Sequence, residues 1–154
     1  MSNDLTALET WLNPLLAKLE PQERTKLARE AAREIRKNQT KRITAQKNPD
    51  GSAYAKRKPR KLSAKKGRIK TKMFMKLKMA RYLKAYGSEQ AVTVGFTGRI
   101  ARIARVHQYG LKDRAERGAP DVSYARRQLL GLSNVDIVQN LLLNRVFLNR
   151  APTK

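Results

Sequence analysis

Residues 98–111 read GRIARIARVHQYGL, and the spacing of their side chains predicts a short amphipathic helix. Apolar and basic side chains recur every three or four residues on different sides of it. The apolar side consists of Ile100, Ile103, Ala104 and His107, and the basic side of Arg99, Arg102 and Arg105. Gly110 follows this pattern and is the residue type that most often ends a helix in the left-handed conformation.

The segment before this helix predicts two antiparallel strands. Residues 82–86 and 90–96 flank a turn at Gly87-Ser88, and the apolar side chains of the second strand alternate with small ones. Further upstream, helical spacing over residues 72–80 predicts a short helix; its apolar positions are Met73, Phe74, Leu77 and Ala80.

The segment after the helix predicts a charged loop and a terminal helix. Residues 111–121 indicate the loop, and short extended pieces are expected at Val122, Tyr124 and Leu129-Leu130. Ser133 is expected to cap the terminal helix, with Asp136 at the third helical position. The broad apolar face of this helix is formed by Ile137, Val138, Leu141, Leu142, Val146 and Phe147.

The N-terminal part of the chain predicts a pair of helices. Leucines at intervals of three and four over residues 4–19 indicate the first, which Pro14 interrupts. Pro21 is suited to the first position of the second helix, expected over residues 21–46. Its apolar line consists of Leu27, Ala31, Ile35 and, two turns on, Ile43. The turn residues Asn-Pro-Asp-Gly-Ser at 48–52 follow it.

Positive charge is concentrated in the middle of the chain. The formal net charge is +23, of which residues 37–84 carry +17, residues 85–154 carry +6, and residues 1–36 carry none. Residues 54–72, the basic arm, hold ten bases and no acid and lack any hydrophobic period. Self-repulsion predicts either a solvated loop or a segment ordered by a polyanion or an acidic partner. Its candidate contact residues are Lys56, Arg57, Lys58, Arg60, Lys61, Lys65, Lys66, Arg68 and Lys70.

These elements predict one α+β domain spanning residues 1–154. Within it we expect a helical N-terminal region at 1–46, a long basic flexible loop at 47–71, and a core at 72–149. The core contains a small antiparallel sheet with packed helices and the C-terminal helix. A chain of 154 residues with 40% apolar content is large enough for one hydrophobic core.

The composition argues against enzymatic and metal chemistry. The chain has no cysteine and a single histidine, and its twelve carboxylates are scattered. Glu30 and Glu34 lie one turn apart, but arginines within four residues of each favour surface ion pairs over a metal or acid-base site. We therefore predict no enzyme activity and no cofactor. The N-terminus lacks signal-peptide features and no apolar run reaches membrane-spanning length, so we expect an intracellular soluble protein without membrane contact.

Three segments carry a resemblance to a known family. They are NPDGSAYAKRK at residues 48–58, GRIARIARVHQYGL at 98–111 and RQLLGLS at 127–133. In order and spacing they resemble the phage virion morphogenesis family, also called the tail completion protein S family, of contractile-tailed temperate bacteriophages. The resemblance covers nearly the whole chain. The family-motif residues that it singles out are Arg99, Arg102, Arg105, His107, Gln108, Tyr109 and Gly110.

The resemblance implies a non-enzymatic virion assembly protein. Such a protein acts at the head-proximal end of the tail, making it competent to join a DNA-filled head, and is assembled in the host cytoplasm. The expected partners are tail tube or terminator proteins, neck proteins of the head–tail connector, and further copies of the chain. By analogy with neck and tail-terminator subunits, those copies form a ring, commonly six-fold, with nonspecific contact to packaged DNA.

A different function class, a small basic nucleic-acid-binding protein, also fits the charge. If DNA is the biological target, binding should persist at physiological salt with a preference for sequence or form. Incidental binding should instead fall linearly on a log-log salt plot and vanish near about 0.2 M.

Overall fold

The computed structural model describes residues 10, 13–14, 17–57, 72–114, 117–134 and 136–137. Within these residues the fold consists of two helices and two small antiparallel sheets, which confirms the predicted α+β class. In chain order the elements are α1 (Pro21–Thr44), β1 (Leu83–Gly87), β2 (Val92–Phe96), α2 (Arg99–Tyr109), β3 (Lys112–Arg114) and β4 (Asp121–Ser123). Neither described helix is long and apolar enough to cross a membrane.

The boundaries of helix α1 follow from single residues at its two ends. Pro21 occupies its first position, as predicted, and the Glu20 N–H donates to Glu23 Oε2 over 3.4 Å. The helix ends at Thr44, two residues earlier than predicted. Gln46 explains the difference because its φ of 58° lies in the left-handed region, where a helix cannot continue.

The predicted strand pair is confirmed: the first strand is shifted by one residue and includes Gly87, and the second begins two residues later than predicted and ends at the predicted residue. β1 and β2 pair antiparallel from Leu83 opposite Phe96 to Gly87 opposite Val92. Helix α1 packs across β1, and both Leu83 and Ile43 are fully buried. Gly87 permits this close approach because it has no side chain, and a Cβ at that position would overlap the backbone of Ala28.

The main core cluster lies between α2 and the chain on either side of the basic arm. Tyr54, Ala104 and Leu129 are buried in it, and Met73, Phe74, Leu77 and Phe96 pack against it. Helix α2 ends as predicted, with Gly110 at a φ of 68° and its N–H bonded to the carbonyl of Val106.

The predicted short helix over residues 72–80 is wrong. This stretch forms a series of turns, in which the N–H groups of Leu77 and Lys78 both bond to the carbonyl of Phe74. Phe74 itself has a φ of 64°, so a helix cannot pass through it. That backbone conformation places its ring against Tyr54 and His107, and tertiary packing therefore overrides the local helical spacing.

The predicted charged loop at 111–121 is wrong in part, because its first residues form strand β3 and its last residue begins strand β4. β3 pairs with β4 from Lys112 opposite Ser123 to Arg114 opposite Asp121, so the extended piece expected at Val122 is confirmed. Leu129-Leu130, by contrast, is not a strand.

The predicted apolar side of α2 is wrong at one position, and the β3–β4 hairpin explains why. The Leu111 N–H bonds to the Val106 carbonyl and the Tyr124 N–H to the Leu111 carbonyl, so the chain folds back over the end of the helix. Val106 is consequently buried, whereas Ile103, predicted on the apolar side, is 44% exposed.

The predicted cap at Ser133 is present. The Asp136 carboxylate accepts hydrogen bonds from the Ser133 N–H over 2.8 Å and from its hydroxyl over 2.9 Å. The Ile137 N–H bonds to the Ser133 carbonyl over 3.1 Å, which forms a helical turn. The remainder of the predicted C-terminal helix, and most of the predicted helix over 4–19, lie outside the described residues.

The contact between β1 and α1 gives the first testable prediction. In Gly87→Ala the new methyl would overlap backbone atoms of Ala28 and Arg29, so we expect a loss of about 3 kcal/mol in the free energy of unfolding. The matched control is Gly95→Ala on β2, where a Cβ would meet no atom within 4 Å, and we expect it to cost less than about 1 kcal/mol. Urea unfolding of both variants measures the difference; equal losses would contradict the close approach.

Candidate functional site

Residues 127–131 form an irregular segment whose peptide groups are held by side chains from distant parts of the chain. Arg42 of α1 donates to the carbonyl of Gln128 over 2.8 Å and to that of Leu129 over 3.0 Å. Its guanidinium also donates to the side-chain oxygen of Gln39, whose amide donates to the Gly131 carbonyl over 2.8 Å. Burial lowers the pKa of Arg42, which nevertheless stays charged at neutral pH. Gln39 and Arg42 thus fasten α1 to this segment.

Helix α2 and the Asn-Pro-Asp-Gly turn hold the same segment from other directions. The side-chain amide of Gln108 donates to the Leu130 carbonyl and accepts from the Leu130 N–H, both over 2.9 Å. Asn48 accepts from the Gln128 N–H over 2.9 Å. The turn that presents Asn48 is closed by Asp50, which accepts from the Ser52 N–H and hydroxyl over 2.8 and 2.6 Å. These bonds lower the pKa of Asp50.

Arg127 connects this segment to the start of the basic arm. Only 5% of Arg127 is exposed, and its guanidinium donates to the carbonyls of Ala55 over 2.8 Å and Lys56 over 3.1 Å. Its backbone N–H donates to the His107 carbonyl over 2.7 Å. The arm is therefore fixed to the core where it begins.

His107 is enclosed by aromatic rings and faces a cation. Its ring makes edge contacts with Phe74 and Tyr124, with centroids 4.8 and 5.0 Å apart. Its Nδ1 lies 3.4 Å from Nη1 of Arg127. Desolvation and the charge of Arg127 lower the pKa of His107 to about 4, so the ring is neutral at pH 7. Because a guanidinium can only donate, Nδ1 is the acceptor and the proton resides on Nε2. This is a packed structural histidine.

Both ends of the basic arm lie side by side. Tyr54, just before the arm leaves the core, touches Phe74, just after it returns, with ring centroids 5.8 Å apart. Gln46 holds the returning end, since its amide donates to the Met73 carbonyl over 2.9 Å and accepts from the Met73 N–H over 2.8 Å. Of the candidate contact residues, Lys56 and Arg57 are exposed. The others, Lys58, Arg60, Lys61, Lys65, Lys66, Arg68 and Lys70, lie outside the described residues.

The arginines of α2 lie on the surface. Arg99, Arg102 and Arg105 are all exposed, and Arg102 forms an ion pair with Asp113 over 2.5 Å. The Arg102 interaction lowers the pKa of Asp113. Tyr109, 63% exposed, borders an open groove of about 410 Å³ with Phe96 and Leu130.

Surface ion pairs were predicted for Glu30 and Glu34 on α1, and one is observed, at Glu34. Glu34 forms an ion pair with Lys37 over 3.2 Å, one turn along the helix. Among the described residues, no group of three or more acidic or histidine side chains converges in a way that could hold a metal ion.

The three sequence segments singled out above meet in space around residues 127–131. Asn48 comes from the first, His107 and Gln108 from the second, and the held segment is the third. The sequence did not identify Gln39, Arg42 and Gln46 as part of this arrangement. One signal was present: the apolar line of α1 skips the turn between Ile35 and Ile43, and the residue at that turn is Gln39, which is 1% exposed.

The chain is similar in sequence to known proteins over most of its length. The sequence profile described as the phage virion morphogenesis family matches residues 3–146 of the chain. Tail completion protein S of Escherichia phage P2 is 38% identical over 136 residues, which cover 88% of this chain and 91% of that protein. No solved structure matches the chain significantly.

Removal of the Arg42 guanidinium should destabilise the whole fold. In Arg42→Met the Leu129 carbonyl loses its donor and the Gln128 carbonyl keeps only the longer bond from the Tyr54 hydroxyl, while both remain partly buried. We therefore expect a loss of about 3 kcal/mol in unfolding free energy. The matched control is Lys41→Met, which removes a neighbouring exposed charge and should cost less than about 0.5 kcal/mol. Denaturant unfolding measures both; similar small losses would show that Arg42 does not hold the segment.

The lowered pKa of His107 predicts a stability that depends on pH. Above about pH 6.5 the ring is neutral in both states, and as the pH falls toward 4 only the unfolded chain takes up the proton. Stability contributed by the neutral ring is therefore complete above the unfolded pKa and is lost below it. The loss should reach about 2 kcal/mol, allowing for screening of the partly exposed ring.

His107 is the only histidine, so its ring protons in an NMR titration report this pKa directly. We expect a midpoint near 4 and, in His107→Gln, a smaller loss of unfolding free energy between pH 7 and 4 than in the unchanged protein. A midpoint near 6.5 would contradict the buried contact with Arg127.

Proposed function

The chain belongs to the phage virion morphogenesis family, and from that premise we propose that it is a structural protein that completes a phage tail. It acts at the head-proximal end of the tail and makes the tail competent to join a filled head. The observation that carries the proposal is the similarity to tail completion protein S of Escherichia phage P2, which spans almost the full length of both chains.

The partly buried hydrogen bonds give the three segments of the resemblance a structural role in this chain. Asn48, Gln108 and Arg127 lie in the three segments on which the resemblance rests, and each of them fixes backbone that is distant in sequence. Residues with such roles belong to the framework of the fold.

A role without enzymatic turnover fits the state of the titratable groups. His107, the one side chain that ordinarily titrates near neutral pH, is packed between two rings and accepts a hydrogen bond from Arg127. The residues that the motifs bring together hold backbone groups, and the groove that Gln108, Tyr109 and Leu130 line is open to solvent. We therefore propose that the motif residues build the subunit, and that function resides on its exposed surfaces.

The distribution of exposed apolar side chains supports assembly into a ring of identical subunits. At the tip of the first hairpin Tyr86 is 68% and Val92 42% exposed, and at the end of α2 Tyr109 is 63% and Leu111 40% exposed. The two pairs belong to different elements of one subunit, the β1–β2 hairpin and the end of α2. Head-to-tail contacts, which generate rings, need two different complementary surfaces. A six-fold ring at the top of the tail, in contact with the tail terminator and neck proteins, is the arrangement we propose.

The basic arm is the element we propose for contact with acidic partners or with DNA phosphates in the particle. Its two ends are fixed beside each other at Tyr54 and Phe74, so it leaves and returns at one point of the core. Nineteen residues between these rings allow it to reach out at most about 30 Å and return. That distance is enough to contact a neighbouring subunit.

A second function, nucleic-acid binding as the biological target, is favoured by one observation. Arg99 and Arg105 are exposed on the same helix, and neither forms an ion pair within the described part of the chain. Phosphate contacts of this kind give affinity but no sequence discrimination. We therefore propose nucleic-acid binding only as the second candidate function, in which phosphate contacts accompany assembly around DNA.

The proposed role predicts a specific defect in phage that lack this chain. Electron microscopy of lysates should show DNA-filled heads separate from free tails, because a tail without its completing protein cannot attach. Supplying the chain from a plasmid should restore joined particles, and this complementation is the control for secondary defects. Normal virions assembled without the chain would refute the proposal.

A further inference from the structure

Helix α1 carries a line of exposed bases along its outer side, which we call the α1 stripe. Successive members are three or four residues apart and therefore lie one above another on the helix. From first to last the stripe is about 23 Å long at the usual rise of an α-helix. Its members are Lys26, Arg29, Arg33, Lys37 and Lys41.

The α1 stripe contributes little to the stability of the subunit. Arg29, Arg33, Lys37 and Lys41 form three successive like-charge pairs at i and i+4, an arrangement that weakens a helix. Only Lys37 of the stripe forms an ion pair within the described residues, and its partner Glu34 is on the same helix. The other four bases are therefore available to carboxylates or phosphates from outside the subunit.

The first part of the stripe borders an open groove of about 610 Å³ between α1 and the turn after β1. Two carboxylates line the same groove: Glu30, and Glu89, which pairs with Arg24 over 2.7 Å. A continuous row of phosphates would meet these carboxylates as well as the bases. A protein surface can instead present acids to Lys26, Arg29 and Arg33 and donors to Glu30 and Glu89, so the mixed lining favours a protein over DNA.

We propose that the α1 stripe docks an acidic helix of a tail or neck protein, an inference that rests on the proposed function. A partner helix with Asp or Glu at intervals of three and four residues has the same rise as α1. When such a helix lies along the stripe, its carboxylates face successive bases over about four turns. The docking surface thus consists of residues of α1, none of which belongs to the basic arm or to the motif residues of α2.

The test is a pair of charge-reversal variants with matched charge. Arg29→Glu/Arg33→Glu alters the centre of the stripe, and Lys84→Glu/Lys112→Glu alters two exposed lysines of the strands. Both lower the net charge by four, so any effect of total charge is shared. Circular dichroism should give melting temperatures within about 4 °C of the unchanged protein for both, as is usual for surface substitutions.

Each variant is then supplied in trans to phage that lack the chain. We expect the stripe variant to give roughly 100-fold fewer infectious particles, with separate heads and tails, and the control variant to complement within about threefold. Phage selected for growth on the stripe variant should carry Asp or Glu to Lys substitutions in a tail or neck protein. Such suppressors identify an acidic protein partner.

Two results would overturn the docking proposal while leaving tail completion intact. One is complementation by the stripe variant as good as that by the control. The other is a loss of affinity for a 30-base-pair DNA duplex, measured by fluorescence anisotropy at 0.15 M salt, that is larger in the stripe variant than in the control. That result would identify DNA as the partner. Normal virions in the complete absence of the chain would overturn docking and tail completion together.

Discussion

The fold depends on the satisfaction of backbone groups in residues 127–131 by buried side chains. This segment carries Leu129, which is 1% exposed, into the core without strand partners along its length. Buried peptide groups must nevertheless be hydrogen-bonded. Arg42, Gln108 and Asn48 provide those bonds from a helix, a second helix and a turn. The segment thereby joins the α1–β1 unit to α2, and it positions Arg127 to hold the start of the basic arm.

The elements that the sequence predicted well are those whose signals are local. Pro21, Gly110 and Ser133 mark helix boundaries through the conformation or hydrogen bonding of single residues. The elements that it missed depend on contacts between distant residues. Residues 72–80 have helical spacing, yet the packing of the Phe74 ring imposes a left-handed backbone there. The strand β3, which pairs with the expected extended piece at Val122, forms where a charged loop was predicted. No periodicity within a short window encodes either outcome.

The candidate site shows the same division. The motif segments could be found because they resemble a family, but the sequence did not reveal that they meet. Arg42 bonds to carbonyls 86 and 87 residues away, and such pairs leave no trace in spacing. The interruption of the α1 apolar line at Gln39 was the one local sign of a buried polar contact. The basic residues differ from these contacts. Their number can be read from the sequence, but only the fold shows which of them form a row on the surface.

The paired anchors of the basic arm have a mechanical consequence. Arg127 holds the outgoing chain at Ala55 and Lys56, and Gln46 holds the returning chain at Met73. Tension applied to the arm by a bound neighbour is therefore divided between two attachment points and loads their hydrogen bonds simultaneously. A load on the arm therefore passes through these hydrogen bonds directly into the core of the subunit.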